Sequence, residues 1–358
     1  MMKPAYILSA SAISPQHTFE RGQLLQPIMS SNNGRLYVVD ADYRQYINPV
    51  AIRRMSKVIK MGISTAMNAL QQAGIACPDA IITGTGMGSM LDMERFLKDM
   101  IQLEEEALNP TFFIQSTYNS INGWIALQTK CNGYNQTFVH RGHSLELSLL
   151  DAQLLLTEAE TTQTVLAGCF DEMTEEYFFI KNKIGYWKHD IPDSRNLLQH
   201  SDTPGTIGGE GAAFFTLTNQ PAGALCSIQE IKLYQDAETS EVQTGMLQLL
   251  ANHGLQPADI DLLLCGMNGD ARQQPLYQMA MDVLPSSAVG AFKQLTGEYA
   301  TASGFALWLA AEVFRTQQVP APVLYKGTAP ARVRHILLVN HYITGNASLV
   351  LLRGNQQP

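Results

Sequence analysis

Charge is scarce in this sequence. Asp, Glu, Lys and Arg make up 16% of it, and 32 acidic residues against 24 basic ones leave a formal net charge of −8. A surface of that sign repels phosphate backbones, which argues against general nucleic-acid binding. Long apolar runs are also missing. None approaches the roughly 18–20 residues a membrane span needs. No charged start followed by an apolar stretch marks a signal peptide. Cysteine is sparse: Cys77, Cys131, Cys169, Cys226 and Cys265 are an odd number, widely scattered, with no Cys-x-x-Cys spacing. That pattern fits reduced thiols in the cytoplasm rather than a disulfide framework. The turn Gly84-Thr85-Gly86-Met87-Gly88-Ser89 follows a strand but lacks GxGxxG order and the Walker Lys-Ser/Thr. It is a weak signal for phosphate. No cofactor, nucleic-acid partner or membrane partner is expected.

What the sequence does have is 46% hydrophobic residues, ordered into alternating strand and helix patterns. Ala5–Ala12, residues 80–84, Gln163–Gly168, Ser227–Leu233, Ile260–Gly266, His335–Val339 and Ala347–Leu352 read as apolar strands. Ile52–Gln72, Met90–Glu105, Gly123–Leu127, Val242–Asn252, Gln278–Val283 and Ser303–Phe314 read as helices, the first stopping at Gly74. The polar, Pro/Gly-bearing stretch Asn219–Ala224 predicts a boundary, giving halves 1–218 and 219–358. Strands alternating with helices in both halves imply α/β layers with buried, largely parallel strands. Arg53, Arg54, Lys57 and Lys60 form a local basic cluster, read as a solvated helix face or as a dock for an acidic carrier protein or partner subunit. Asp171-Glu172 and Glu175-Glu176 read as a solvated acidic turn. Met87, Met90 and Met93 read as core or interface filling.

The chain is organised around Thr137–Asp151, TFVHRGHSLELSLLD. Phe138 and Val139 are β-formers, Gly142 permits a sharp turn, and Leu145, Leu147, Leu149 and Leu150 begin an apolar helix with Ser144 as a cap. Such a strand-turn-helix elbow presents one side chain, here His143, at a helix N-terminus, where the dipole favours a thiolate or oxyanion. The elbow resembles the nucleophile elbow of the β-ketoacyl synthases of the thiolase superfamily, with His143 where that family has its Cys. Further segments fall in the family's order. Asn109–Asn119 resembles its Ser-Pro-x-x-F segment, Gly168–Thr174 its Ala-Gly-Gly-x-Asp segment, and Ile207–Phe215 its Gly-Glu-Gly-Ala run. The resemblance implies a duplicated, five-layer αβαβα thiolase-like fold.

The resemblance also places the catalytic positions. The family's first His falls on Asn268 and its second on Glu298, while its Lys is kept as Lys293. An acyl-imidazole hydrolyses readily, and an ionised Glu repels a developing enolate. The resemblance therefore implies a non-catalytic subunit, similar to a chain-length factor and closest to aryl-polyene or flexirubin-type systems. Its partners would be an active ketoacyl synthase, in a heterodimer, and an acyl carrier protein. It would shape the acyl tunnel through Phe112, Phe113, Ser116, Thr117 and Tyr118 at the interface. The last loop, Asn340–Asn346, lacks the family's Gly-Phe-Gly-Gly. Open alternatives are an active synthase or acyltransferase with unusual chemistry, a free-standing ligand-binding homodimer, Cys169 as a substitute nucleophile, and a metal held by His140, His143 and Glu146.

Overall fold

The computed structural model describes residues 2–20, 25–190 and 193–355. Its strands are β1 (Ala5–Ile13), β2 (Ala80–Gly84), β3 (Tyr134–Phe138), β4 (Thr164–Asp171), β5 (Gly211–Thr218), β6 (Cys226–Gln235), β7 (Leu262–Cys265), β8 (Ala288–Ala291), β9 (Leu324–Lys326), β10 (His335–Tyr342) and β11 (Asn346–Gly354). Its α-helices are α1 (Pro49–Ile52), α2 (Lys57–Ala73), α3 (Met90–Gln102), α4 (Pro110–Ser116), α5 (Ser120–Thr129), α6 (Ser144–Glu158), α7 (Glu175–Lys183), α8 (Thr239–Asn252), α9 (Gln274–Val283), α10 (Lys293–Thr296) and α11 (Ser303–Thr316).

Strands β2, β5, β7 and β8 are buried along their whole length. Burial on both faces is why β2 and β7 read as continuous apolar runs rather than alternating ones. The strand order is β3-β2-β4-β5-β1-β6-β11-β10-β7-β8-β9. Read outward from the centre, β1-β5-β4-β2-β3 and β6-β11-β10-β7-β8 have the same connectivity and the same sequence of antiparallel and parallel pairings. The fold is thus a duplication. The two copies join through a short antiparallel contact of Ala5–Ile7 with residues 226–228.

Five layers result. α2 and α5 cover the first copy with a cluster built on Val58, Ile59, Ile63, Ile121 and Ile125. α8 and α9 cover the second through Met246, Leu249, Tyr277 and Ala280. α6 and α11 form the middle layer, in the largest cluster. Every residue of α11 from Ser303 to Phe314 is buried, as expected of a helix apolar on all sides. This is the thiolase-like αβαβα architecture.

Several boundaries differ from the sequence reading. The helix predicted from Ile52 starts at Lys57, because Asn48 caps a separate short helix with Pro49 at its first position. It ends at Gly74 (φ +70°), a left-handed position that favours glycine. Strand β3 stops at Phe138, leaving Val139 42% exposed in the bend before the elbow. β3 pairs only with β2 and is one edge of the sheet. Among the described residues, no helix is long and apolar enough to cross a membrane.

Candidate active site

The elbow turns through a single 3₁₀ turn, Arg141–His143. Arg141 sits at φ +47°. Gly142 is required there, since a Cβ would lie 2.3 Å from Tyr342 Cβ. His143 caps α6, and Ser144, predicted as the cap, is the first helical residue. Ser144 Oγ instead accepts from the His140 amide (2.8 Å) and reaches the Thr85 carbonyl (2.9 Å), tying the elbow to the Gly-rich turn.

His143 is buried, and both its ring nitrogens are engaged. Nε2 donates to the Ala347 carbonyl (3.1 Å), and Nδ1 accepts from Asn346 Nδ2 (3.3 Å). Asn346 Nδ2 also donates to Gln235 Oε1 (2.6 Å). These partners select the neutral Nε2–H tautomer, and burial holds the imidazole pKa below its ordinary value. No ring lone pair is left for attack on a thioester. The side chain pins the hairpin of β10 and β11 to α6.

The structure brings Asn268, Glu298 and Lys293 together. Lys293 follows β8, and Glu298 follows the glycine at 297. Gly297 has φ +72° and packs against Gly208 and Gly209. This contact explains the small residues of the Gly-Glu-Gly run. Lys293 Nζ donates to Glu298 Oε1 (2.8 Å), Glu298 Oε2 (3.0 Å) and the His341 carbonyl (2.7 Å). An ammonium has three protons, so these partners saturate it. Asn268 Nδ2 donates to Glu298 Oε2 (2.6 Å), and Asn268 Oδ1 accepts from the Asp270 amide (3.0 Å). Burial moves the pair's pKa values toward each other, down for Lys293 and up for Glu298, and their mutual attraction opposes both shifts. His341 is pushed down to about 4 by burial and by Lys293.

The space beside Glu298 is nearly filled. The remaining cavity is about 10 Å³, lined by Asp171, Tyr177, Lys181, Glu298, Tyr299 and Tyr342 among others. That is room for about one water, not for a pantetheine thioester. Lys181, which the sequence reading missed, occupies much of this region. Its Nζ lies 4.0 Å from the Tyr186 ring centroid, 5.2 Å from Tyr177 and 5.9 Å from Tyr342. Burial lowers its pKa to about 8. The aromatic density of the segment YFFIKNKIGYW was the available signal.

The predicted acidic turn divides. Glu175 and Glu176 are exposed in the first turn of α7, but Asp171 and Glu172 are buried. Asp171 Oδ1 accepts from Thr85 Oγ1 and from the Gly86 and Met87 amides, and Oδ2 accepts from the Thr301 amide and hydroxyl. The carboxylate therefore fills the anion-binding nest of the Gly-rich turn and links the two halves. A phosphate has no free amides to use there. Glu172 accepts from the Leu91 amide, and burial, with Glu210, Asp92 and Glu94 nearby, raises its pKa to about 8.

The alternative chemistries fare poorly. Cys169 is fully buried, burial raises its thiol pKa, and its Sγ faces the Thr301 carbonyl at 3.6 Å. The His140 and His143 rings stack with centroids 5.6 Å apart, while Glu146 Oε1 turns to Ser348 Oγ (3.0 Å). Among the described residues, no group of three or more His, Cys, Asp or Glu converges as metal ligands.

The segment read as a tunnel wall lies on α4 and just beyond it. Phe112 sits 5.7 Å from the Arg95 guanidinium, and Phe113 packs on Phe96. Phe113 is 56% exposed in this chain. Tyr118 lies over Gly88, while Ser116 and Thr117 hydroxyls bond back to the helix. Thr117 also lines an open, mainly apolar groove of about 760 Å³ between α1, α4 and α5, with Val50, Arg54, Ile114, Trp124 and Leu127. Of the basic cluster, Lys57 is paired with Glu210 (2.6 Å) and Lys60 stacks on Tyr43. Arg53 and Arg54 stand exposed beside the groove.

Residues 31–185 match a family model described as "Beta-ketoacyl synthase, N-terminal domain". The chain superposes on the structure described as "The ishigamide ketosynthase/chain length factor" with a TM-score of 0.80 at 18% identity, covering 99% of this chain and 100% of that one. The chain has a ketosynthase fold. A Beta-ketoacyl synthase from Burkholderia phymatum STM815 matches with a TM-score of 0.78 at 13% identity, over 99% of this chain and 100% of that one. A type II PKS structure, an acyl-carrier protein in complex with its ketosynthase, matches with 0.73 at 13% identity, over 98% and 99%. No curated protein matches by sequence. In this ketosynthase fold, the three positions that resemble catalytic ones hold a structural histidine and a buried ion-pair network.

Proposed function

We propose that the chain is a non-catalytic, chain-length-factor-like subunit. It pairs with an active ketoacyl synthase and helps build a polyketide or polyene on an acyl carrier protein in the cytoplasm. One observation carries this reading: the polar groups at the three synthase positions bond one another and the chain's own backbone, leaving about 10 Å³ beside Glu298. The chemistry therefore belongs to a partner's Cys and two His. The open edge of β3, the exposed apolar residues of α4 and the adjoining groove support a heterodimer in which sheets continue across the interface. Phe112, Phe113, Ser116, Thr117 and Tyr118 lie on this side and form part of the tunnel wall. The halves are residues 1–218 and 219–358, each contributing one copy of the repeated sheet. The His-for-Cys exchange and short last loop favour an aryl-polyene or flexirubin-type pigment pathway.

The test uses intact mass spectrometry of the purified chain, alone and with a neighbouring synthase, after incubation with acyl carrier protein loaded with an acyl thioester. The expected acyl adduct appears only on the synthase. A stable stoichiometric adduct on this chain would overturn the non-catalytic reading. Failure to co-purify with any ketoacyl synthase encoded beside it would overturn the partner.

A further inference from the structure

The fold brings together two thiols that lie far apart in sequence. β2 and β3 are parallel neighbours, with Ala80 opposite Tyr134. Cys77 stands three residues before Ala80, and Cys131 stands three before Tyr134, so the strand register, continued past the strand ends, would bring the two to the same level. Neighbouring strands run about 4.8 Å apart, and a disulfide needs Cα atoms roughly 4.4–6.8 Å apart. The segments touch at this level, because a Cβ on Gly133 would lie 1.9 Å from the Asp79 carbonyl oxygen. Burial and, after it, the nearby Cys77 thiol raise the Cys131 thiol pKa, and Cys77 Sγ faces the Pro78 carbonyl at 3.6 Å. Cys77 is exposed and Cys131 buried, and the other three cysteines are buried elsewhere in the fold.

We infer that Cys77 and Cys131 are a redox-active dithiol that closes to an intrachain disulfide when a small-molecule disulfide such as glutathione disulfide is the oxidant. The order of steps follows from exposure. The Cys77 thiolate attacks one glutathione sulfur, forming a mixed disulfide and releasing one glutathione thiolate. Cys131, deprotonated, then attacks Cys77 Sγ, forming the protein disulfide and releasing the second glutathione. Two protein thiols are oxidised, two protons leave, and one glutathione disulfide is reduced to two thiols. Burial raises the Cys131 thiol pKa while the Gly133 amide lowers it, so the second step speeds up as pH rises. The bond closes a loop containing α3, α4 and α5. It fastens the turn before β3, the open sheet edge, to the turn before β2. A disulfide of this kind in a reducing compartment is transient and reports oxidising conditions. The inference stands whatever partner the chain has.

The experiment treats the folded, full-length chain with glutathione disulfide, traps free thiols with N-ethylmaleimide under denaturing conditions, and reads intact and peptide masses. The expected product is lighter by two hydrogens, has two thiols protected from maleimide, and yields a tryptic pair joining residues 61–95 to 131–141. Cys131→Ser should stop at one glutathione adduct on Cys77. Cys77→Ser, at an exposed loop position, should gain no disulfide. Wild-type protein that halts at the Cys77 adduct, or that cross-links between chains through Cys77, overturns the inference. Hydrogen exchange supplies the second readout. Oxidation should slow exchange between α5 and β3 in the wild type and leave Cys77→Ser unchanged; equal exchange in oxidised and reduced wild type rejects the fastening role.

Discussion

The closed centre around Glu298 and the groove between α1, α4 and α5 invert the usual partition of a folded chain. Lys293 and Glu298 are ionisable and 1% exposed, while Val50 and Leu127 are hydrocarbon and 72% and 75% exposed. Charged side chains are almost never fully buried unless paired, and contiguous exposed apolar surface marks an interaction site. The difference teaches where each region's energetics are settled. In the interior centre, Lys293 and Glu298 are paired with each other and with groups of their own chain. The groove leaves its apolar lining open in the isolated chain.

Five substitutions or conditions separate the two regions. The largest effect belongs to the centre. Lys293→Met leaves Glu298 as a buried uncompensated charge and should cost about 3–5 kcal/mol, read by urea denaturation. Adding Glu298→Gln should recover most of that loss; a double mutant as unstable as the single would mean that the ion pair is not the cause. The second concerns Glu172, whose folded pKa of about 8 lies above its ordinary 4.5. Between those values the folded state keeps a proton that the unfolded state has released. Stability therefore falls as pH rises through this window, with a contribution up to about 1.4 kcal/mol per pH unit. Glu172→Gln should flatten that slope in pH-dependent melts, and an unaltered slope would assign it elsewhere.

Third, His143→Cys removes both ring contacts and should cost about 1–3 kcal/mol while giving no condensation, since Asn268 and Glu298 remain. Measurable condensation by this mutant would contradict the closed-site reading. The groove should behave oppositely. Leu127→Asp should shift the isolated chain's stability by less than about 0.5 kcal/mol, yet abolish co-purification with the synthase. A variant that still assembles normally would remove the groove from the interface. Fifth and smallest in stability is Phe113→Ala, within about 0.5 kcal/mol for the isolated chain given its exposure. In the reconstituted pair it should lengthen the product by one or more two-carbon units, read by mass spectrometry.

The sequence made the secondary structure legible where burial is continuous, as in β2, β7 and α11, and where a local rule applies, as at Gly74 and Gly142. The elbow was readable because strand, turn and helix follow within a few residues. Asp171 and Glu172 were misread because their burial depends on Thr301 and Leu91, which are distant in sequence. The same blindness hid Lys181, whose cage is assembled from Tyr177, Tyr186 and Tyr342 on separate elements. Sequence read Asn268 and Glu298 as separate substitutions and Lys293 as a retained residue. Only the fold shows that they bond to one another, with Glu298 taking hydrogen bonds from both of the others. His143 was expected to present itself to substrate, and it is consumed instead by a hairpin that lies near the end of the chain.

The central position of β1 has a consequence for how the molecule comes into being. β1 finds its neighbours in β5 and β6, with Ser11 opposite Phe214 and Ala5 opposite Ile228. During synthesis β1 emerges long before either of those neighbours has been made. Such non-local closure slows folding and prolongs exposure of apolar strands. Throughout that wait, the edge of β3 and the apolar side of α4 are already outside the ribosome. The vulnerable interval in this protein's life is therefore its translation, when those surfaces are most exposed.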